Sequence, residues 1–401
     1  MFLKAASLFS LVLLIAGCAP STRVNRPVPP PPVVSSVALT AGNGTGAPIL
    51  PLNGGSLLLR FDVFQSDVSY FRVQVRHLDR TWRQSQILPG IYMRGMHEDM
   101  VTEGVPSTSQ EPLYTSYSYR FPNDQMGVQV SGNYVMEVID PQSGAVIVSQ
   151  PFLVTEDKGE IDFSVVELFH NRAGIRISHQ PFLEYRAPKD FIMPQLDVHV
   201  AFAQNRWWTD AIRSELMDQS EDGVLRYYLT RDKAFSGSLD VFSYVLTEVG
   251  RLDQGVQSAD LSARPPSILK DPETDGLSRP IQSAWPNVTG ARRTPDARYG
   301  RVTFQFETTR PREPMYLVGT FNDWRPSEAY RLVFDASDNY WKSTVLLKEG
   351  THRFMYMSGN DRTAFTSVMA GSAQEYHGLV YYHDPQNRYD RLLGVSSVQM
   401  R

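Results

Sequence analysis

The chain has 401 residues, enough for two or three domains with separate cores, and its hydrophobic content of 42% is ordinary for a globular protein. Its 39 Lys and Arg residues against 43 Asp and Glu residues give a net charge of −4, without a long run of one sign. This balance argues against nucleic acid as a partner.

The N-terminus reads as a targeting signal. Lys4 precedes a short apolar stretch, residues 5–15, that is too short to span a bilayer as a mature helix. The run Ile15-Ala16-Gly17-Cys18 is similar to the lipobox of bacterial lipoproteins. That resemblance implies a signal peptide over residues 1–17 and acylation of Cys18. The alternatives are an uncleaved anchor or a buried free thiol.

Two features follow from Cys18 and the residues after it. Cys18 is the only cysteine, so the chain forms no internal disulfide and its fold depends on packing. Ala19 favours onward sorting to the outer membrane, by resemblance to the enterobacterial rule. Residues 18–36 are rich in proline, which favours an extended polyproline II tether between a membrane and the first domain.

Residues 37–155 form the first predicted domain. Apolar and polar residues alternate over residues 71–76, which indicates a strand with one buried face. The other apolar runs are short and are separated by Pro, Gly, Asn and Ser, as in a β-sandwich. We therefore predict an all-β protein of tandem immunoglobulin-like β-sandwich domains.

Four landmarks occur in order within this domain: Phe61-Asp62 at the end of a strand, Asp79-x-x-Trp82-x-x-Ser85, Tyr114-x-x-Tyr117 before Phe121-Pro122-Asn123, and Ser131-Gly132-Asn133-Tyr134. In this order they resemble the first domain of the type IX secretion system plug proteins of Bacteroidota. Leu78 stands where that family has a cysteine.

Two parts of this domain admit two interpretations. Trp82 is either an exposed binding residue or a buried tryptophan between the sheets, and burial is the stronger expectation. Residues 91–104 carry Met93, Met96 and Met100 near helical spacing, so they form a long loop or a short helix. This segment either contacts a partner or folds onto its own sandwich.

The second predicted domain covers residues 156–263, with strands expected near residues 163–168, 196–202, 225–229 and 241–249. Its run Gln-Asn-Arg-Trp-Trp-Thr-Asp-Ala, residues 204–211, is similar to a segment of the plug family. Trp207 and Trp208 are adjacent, so on an extended segment they point to opposite faces. One of them is then free to contact a partner, whereas core packing is the expectation for at least one.

Residues 264–298 are rich in Pro, Ser and charge and are predicted to be a linker before a third domain, residues 299–401. That domain opens with an alternating strand at residues 301–307. Its Gly319-x-Phe321-Asn322-x-Trp324 resembles the signature of early-set, glycogen-binding modules. In that family the tryptophan stacks on sugar rings, and Trp324 and Trp341 are the corresponding candidates here.

The chemistry of a catalytic or metal site is not evident. The histidines are scattered, and the chain has neither a Gly-x-Ser-x-Gly nor a His-Glu-x-x-His motif. We expect no enzyme, no cofactor and no metal. The glycan reading is weakened because Met355 and the run Asn360-Asp361-Arg362 stand where glycogen-binding modules have a lysine and a second tryptophan.

The resemblance to the plug family implies a non-catalytic outer-membrane lipoprotein that faces the periplasm and plugs the periplasmic opening of the type IX translocon barrel. The expected partners are that barrel and, through the lipid anchor, the membrane. The candidate partner-binding residues are Met93, Met96, Met100, Trp207 and Trp208. The alternative is an outer-membrane glycan-binding lipoprotein that uses Trp324 and Trp341.

Overall fold

A computed structural model describes residues 33–400 except 43–45, 66–67, 109–111, 173–174, 192, 220, 222, 250–254, 276–289, 310, 313 and 366–371. Within these residues the protein is nearly all β, with a few short helical turns, and it is built from sandwiches of sheets, as the sequence predicts. The predictions for the signal peptide, for Cys18 and for most of the tether lie outside the described residues.

The first sandwich spans residues 34–155. Its elements are the strands β1 (Val34–Ala41), β2 (Ile49–Pro51), β3 (Leu57–Val63), β4 (Phe71–Leu78), β5 (Met93–Gly95), β6 (Glu98–Val101), β7 (Gly104–Pro106), β8 (Thr115–Phe121), β9 (Met126–Val128), β10 (Gly132–Ile139) and β11 (Val146–Thr155), and the one-turn helix α1 (Pro89–Tyr92). A four-stranded sheet, β1-β3-β8-β7, faces a five-stranded sheet, β2-β11-β10-β4-β6, and β5 pairs with β9.

The burial along these strands follows from which faces are covered. In β4, Phe71, Val73 and Val75 point into the sandwich core and the intervening residues are half-exposed, which confirms the predicted alternation. Strand β10 is buried at every position. Its Tyr134 faces the core of the first sandwich, whereas Val135 points out of the other face and is covered by a neighbouring sandwich.

The methionine segment is neither one long loop nor one helix. After the single turn of α1 it forms β5, β6 and β7. Strand β6 joins the edge of the five-stranded sheet, and β7 crosses to the edge of the four-stranded sheet. The helical spacing of the three methionines is therefore not a helix face.

Residues 160–400 form two further sandwiches. Their strands are β12 (Glu160–Arg172), β13 (Ile175–Arg186), β14 (Val198–Gln204), β15 (Ile212–Arg213), β16 (Leu216–Asp218), β17 (Val224–Tyr228), β18 (Phe235–Ser236), β19 (Phe242–Leu246), β20 (Val256–Asp260), β21 (Ser267–Lys270), β22 (Glu273–Thr274), β23 (Gly290–Ala291), β24 (Tyr299–Glu307), β25 (Met315–Gly319), β26 (Val333–Asp335), β27 (Tyr340–Lys348), β28 (Gly350–Ser358), β29 (Gln374–Asp384) and β30 (Tyr389–Met400). A short helix α2 (Pro194–Asp197) and two 3-10 turns (Trp208–Asp210 and Glu328–Tyr330) complete the elements.

The second sandwich combines distant parts of the chain. One sheet has the order β12-β13-β17-β16, with β18 also pairing with β13. The other has the order β15-β14-β29-β30, so its last two strands come from residues 374–400. The core between the two sheets contains Phe163, Tyr185, Phe202, Tyr376 and Leu393.

The third sandwich lies between these two parts in the chain. Strand β28 pairs with β19, β23 and β25, and the facing sheet has the order β20-β21-β24-β27-β26, with β22 also on β24. Its core is aromatic, with Phe304, Trp341, Phe354 and Tyr356 among the buried residues. The ring of Phe354 lies 4.7 Å from that of Phe304, edge to face.

The sheets do not follow the predicted domain limits. Strand β19, inside the predicted second domain, belongs to the third sandwich, and β29 and β30, inside the predicted third domain, belong to the second. Part of the predicted linker is structured, because β21 and β22 pair in parallel with β24. The placement of β29 in the second sandwich has a physical reason: an exposed edge of β14 is completed only when β29 pairs with it.

Candidate interaction surfaces

Residues 204–211 connect all three sandwiches. After β14 ends, Asn205 and Arg206 adopt φ values of 54° and 60°, in the left-handed region that non-glycine residues adopt only when neighbours hold them there. Asn205 is held by β29: its side chain accepts a hydrogen bond from the Glu375 backbone N–H at 3.0 Å and donates to the side chain of Gln374. Arg206 donates to the Glu375 carboxylate at 2.9 Å. This turn fixes the directions of the two tryptophans that follow.

Trp208 points toward the first sandwich. It is 1% exposed and belongs to a cluster that includes Leu78, Trp82 and Val135 from the first sandwich. Tyr381 on β29 contributes to the same cluster and donates a hydrogen bond to Asn133 Oδ1 at 2.9 Å. The first and second sandwiches therefore share a buried apolar junction, which we call the Trp208 junction.

Trp207 points the other way, into the third sandwich. Its ring meets that of Trp324 edge to face at 6.1 Å, and the Arg362 guanidinium lies 4.1 Å from its centroid. Next to it, Asp210 accepts hydrogen bonds from Arg325 at 2.7 Å and from Arg362 at 3.1 Å. We call this contact the Trp207 junction.

The first and third sandwiches also meet directly, through a buried ion pair. Lys348 donates to Asp62 at 2.8 Å, and the two side chains are 3% and 6% exposed. Tyr299 and Ser116 donate their hydroxyls to the same carboxylate at 2.7 and 2.5 Å. The Lys348 ammonium lies 4.3 Å from the centroid of the Tyr114 ring. The carboxylate is thus well supplied with donors, as a buried charge requires.

A second contact joins the same two sandwiches. Gln150 on β11 donates to Asp323 at 2.9 Å. Burial raises the pKa of Asp323 to about 6, although the hydrogen bond from Gln150 and the charge of Arg325 act in the opposite direction. Each of the three sandwiches therefore contacts the other two: the first and second at the Trp208 junction, the second and third at the Trp207 junction, and the first and third through these polar contacts.

Several of the sequence landmarks lie at these junctions. Asp62 forms the ion pair with the third sandwich, and Trp82 is buried in the Trp208 junction at 2% exposure. The predicted burial of Trp82 is confirmed, but its predicted place between the sheets of the first sandwich is wrong, because it packs at the junction with the second sandwich. Asn133 accepts from Tyr381, and Ser131 accepts from the Leu392 backbone N–H at 3.1 Å. These members of the signature therefore mark faces that the first sandwich presents to the rest of the protein, whereas Tyr117, Phe121 and Tyr134 lie in its own core.

The predicted partner-binding residues divide into buried and exposed. Met93 is 2% exposed and packs in the first core, and Trp207 and Trp208 are 8% and 1% exposed. None of these three offers a surface. Met96 and Met100 are 59% and 42% exposed.

The exposed methionine Met96 has apolar neighbours in the chain. Leu88 and Ile91, three residues apart across the turn of α1, are 71% and 49% exposed. We call residues 88–96 the apolar segment. It lies near a contact between the first and second sandwiches, because the Tyr92 ring lies 5.8 Å from that of His77, which in turn lies 5.8 Å from that of Tyr389 of the second sandwich. Exposed apolar groups of this kind mark contact surfaces.

The glycan candidates are buried. Trp324 is 7% exposed, and Trp341, at 9%, packs in the third core against Phe334 at 5.2 Å. The signature residues serve a turn: the Asn322 side chain accepts from the Gly319 N–H at 2.8 Å and donates to the Leu317 carbonyl at 3.1 Å. Trp324 instead packs with Trp207 of the second sandwich in one buried apolar cluster.

The described residues contain neither a cluster of metal ligands nor a membrane-spanning helix. No group of three or more His, Cys, Asp or Glu side chains in this part of the chain could hold a metal ion. Over the same residues, no helix has the length and apolar character needed to cross a membrane.

The first sandwich is the part of the chain that matches a known protein family. Residues 34–156 match the family model described as type 9 secretion system plug protein 1st domain. The first sandwich is similar to the first domain of the plug proteins. The match confirms the resemblance seen in the sequence, and it associates the chain with type IX secretion and with the cell envelope.

The whole fold also has a solved relative. A crystal structure of a hypothetical protein from Parabacteroides merdae ATCC 43184 matches with a TM-score of 0.83 and 20% identity, over 94% of this chain and 100% of that one. At this identity the likeness shows the fold alone. The BSP domain of a biofilm associated protein aligns over 95% of this chain and 61% of its own, at 8% identity, but its TM-score of 0.20 carries no argument. No curated protein matches the chain.

Sequence reasoning missed most of the residues that join the sandwiches. Asp62 carried a usable signal, because a carboxylate between Phe61 and Val63 in an apolar strand is a buried charge that needs a partner. Lys348 and Asp210 carried none, since nothing local distinguishes them from ordinary surface charges.

Proposed function

We propose that the protein is a non-catalytic component of the type IX secretion system that closes the periplasmic opening of the translocon barrel. The match of residues 34–156 to the plug family carries this proposal. A lipid on Cys18 would hold the protein at the outer membrane, facing the periplasm, with the residues between Cys18 and β1 as a tether; residues 34–36 of the predicted tether belong to β1.

The architecture supports a closing role. A plug must resist deformation, and here three sandwiches contact one another through buried aromatic and charged groups. Apolar junctions of this kind make domain motions small, because moving one sandwich exposes the buried side chains of two others. The three sandwiches therefore form a single unit rather than independent domains joined by flexible linkers.

The apolar segment is our candidate for contact with the barrel. Its exposed side chains Leu88, Ile91 and Met96 stand on the first sandwich, the part that matches the plug family. Methionine adapts to irregular surfaces, and stable interfaces bury on the order of 1,600 Å² in total, so this segment would be one part of a broader contact. The membrane anchor would raise the local concentration, so that modest contacts suffice.

The decisive experiment combines genetics with purification. Deleting the gene should leave the barrel assembled but open, so the outer membrane admits large antibiotics while secretion falls only in part. The tagged lipoprotein, purified in mild detergent, should bring the barrel with it. If permeability is unchanged in the deletion strain and no barrel co-purifies, the plug proposal is wrong.

Point variants locate the contact. Met96→Asp should reproduce the leak and weaken co-purification while the protein stays folded, because its side chain is exposed. Val333→Asp is a matched control, since Val333 on β26 of the third sandwich is also exposed, at 66%. An equal leak from both variants, or from neither, would remove the apolar segment from the proposal.

The anchor is tested separately. Intact-mass analysis of the mature protein should find a lipid adduct at Cys18 that Cys18→Ser abolishes. An unmodified protein that still starts at Met1 would contradict the lipoprotein assignment.

A further inference from the structure

A pocket of about 230 Å³ lies between the outer face of the first sandwich and the chain that leads into the third. Arg60 and Asp62 on β3 stand opposite Ser118 and Ser116 on β8. Residues two apart on a strand share a face, so these four side chains form one wall.

The opposite wall is anchored to the first sandwich. The Pro295 carbonyl accepts a hydrogen bond from the Thr108 N–H at 2.9 Å. The Ala297 carbonyl accepts from the Tyr114 hydroxyl at 2.6 Å. The pocket is therefore bounded by segments that are bonded to each other rather than by two surfaces that merely approach.

The described lining residues carry an excess of positive charge. They include four cations, Arg60, Arg292, Arg293 and Lys348, and one carboxylate, Asp62. Glu349, just outside, lies 3.6 Å from Arg292. Arg298 also lies 3.4 Å from Glu349, so that carboxylate is shared by two arginines. The carboxylate of Asp62 is already bonded by Lys348, Tyr299 and Ser116, which limits its capacity to neutralise the arginines.

The pKa values of two of these arginines are lowered. Burial, and then the charge of Arg120, lower the pKa of Arg60. Burial, and then the charge of Arg60, lower the pKa of Arg293 to about 10, against the opposing effect of Asp62. Cations that disfavour one another in a partly buried site are stabilised by a bound anion.

We propose that this pocket binds an oxyanion of the phosphate type. Guanidinium groups present planar pairs of donors that match phosphate oxygens, and the Ser118 hydroxyl beside Arg60 adds a donor. The volume suits a single phosphate group, whether a free ion or a lipid headgroup. An acidic peptide needs more room along its backbone. The site is independent of the contact proposed for the barrel.

The test is calorimetric titration of the full chain in mild detergent with inorganic phosphate, at constant ionic strength set with chloride. Arg60→Gln should weaken phosphate binding about ten- to a hundredfold, as expected for the loss of hydrogen bonds to a charged group. Arg60→Lys keeps the charge and should retain part of the affinity. Arg301→Gln is the matched control and should bind as the wild type does, since Arg301 is exposed on β24, away from the pocket.

Phospholipids added as mixed micelles with the same detergent distinguish the source of the phosphate. Competition by phosphatidylglycerol, but not by phosphatidylcholine, would assign an anionic headgroup, and phosphate binding without competition would assign a free ion. If Arg60→Gln does not fold, Ser118→Glu replaces it, because this substitution places a negative charge at an exposed position of the wall. Binding lost in Ser118→Glu supports the site.

Three results would overturn the proposal. The first is no measurable binding of phosphate at millimolar concentration. The second is equal affinity in the Arg60, Ser118 and Arg301 variants. The third is binding of a short glutamate peptide in the absence of phosphate binding, which would make the pocket a protein contact.

Discussion

Removing the Trp208 ring tests whether the Trp208 junction stabilises the protein. A buried tryptophan removes about 150–250 Å² from water, and at about 25 cal/mol per Å² this corresponds to about 4–6 kcal/mol. Measured truncations of buried aromatic residues cost about 3–5 kcal/mol. Since Trp208 is 1% exposed and packs against Leu78 and Trp82, we expect Trp208→Ala to lower the free energy of unfolding by about 4 kcal/mol.

The assay should report where the stability is lost as well as how much. Urea unfolding gives the total, and hydrogen exchange read by mass spectrometry should show faster exchange in β10, β11, β14 and β29, whose side chains face the junction. Phe169→Ala is the control, because Phe169 is 78% exposed and its truncation should cost less than about 0.5 kcal/mol. A Trp208→Ala loss no larger than that of the control would refute the reasoning.

Three further predictions concern the other junctions. Lys348→Met should lower the free energy of unfolding by about 3–5 kcal/mol, because Asp62 is left buried without its cation. Adding Asp62→Asn should recover most of that loss in a double-mutant cycle, and full additivity of the two changes would contradict the pairing. The folded pKa of Asp323, about 6, lies above that of an ordinary carboxyl, so its contribution to stability is present below about pH 4 and is lost as pH rises through about 6. Asp323→Asn should therefore gain at most about 3 kcal/mol at neutral pH and nothing near pH 4, and a gain independent of pH in urea titrations would argue against it. Trp324→Ala should cost about 3–5 kcal/mol while the wild type shows no glycogen or cyclodextrin binding; a stable variant that loses sugar binding would restore the glycan reading.

Much of the fold follows from local patterns in the sequence. The alternation over residues 71–76 corresponds to β4, and the predicted strand at residues 301–307 lies within β24 (Tyr299–Glu307). Strand β10 shows the limit of predicting packing from local patterns. Its two faces are both apolar, and no local signal tells that one face covers the first core while Val135 meets the second sandwich.

Long-range pairing lies beyond a single sequence. The return of β29 to β14 joins residues about 180 apart, as in the pairing of Val200 with Val380, and periodicity carries no information about partners at that distance. The same holds for the ion pair between Asp62 and Lys348, which are 286 residues apart.

The two tryptophans illustrate a related limit. Opposite directions were expected for an extended segment, but in the structure the left-handed turn at Asn205 and Arg206 and a 3-10 turn set them. Burial of at least one was also expected. Burial of both at two different junctions was not, because an apolar side chain between domains has the same sequence character as one in a core. The methionines failed for another reason: Met93 is buried on β5, Met100 is on β6, and the exposed Met96 lies between these two strands.

The interrupted second sandwich has a consequence for how the chain is made. Residues 34–155 contain every strand of the first sandwich, so this unit can fold as soon as it has been synthesised. Strand β14, in contrast, waits for β29. Until residue 374 emerges, one edge of β14 is unpaired and the core around Val198, Val200 and Phe202 lacks Tyr376, Val380 and Leu393. We expect a nascent chain stopped before β29 to resist protease over the first sandwich and to be cleaved or bound by chaperones beyond it. Export to an envelope compartment would then favour delivery of the whole polypeptide before the second and third sandwiches close.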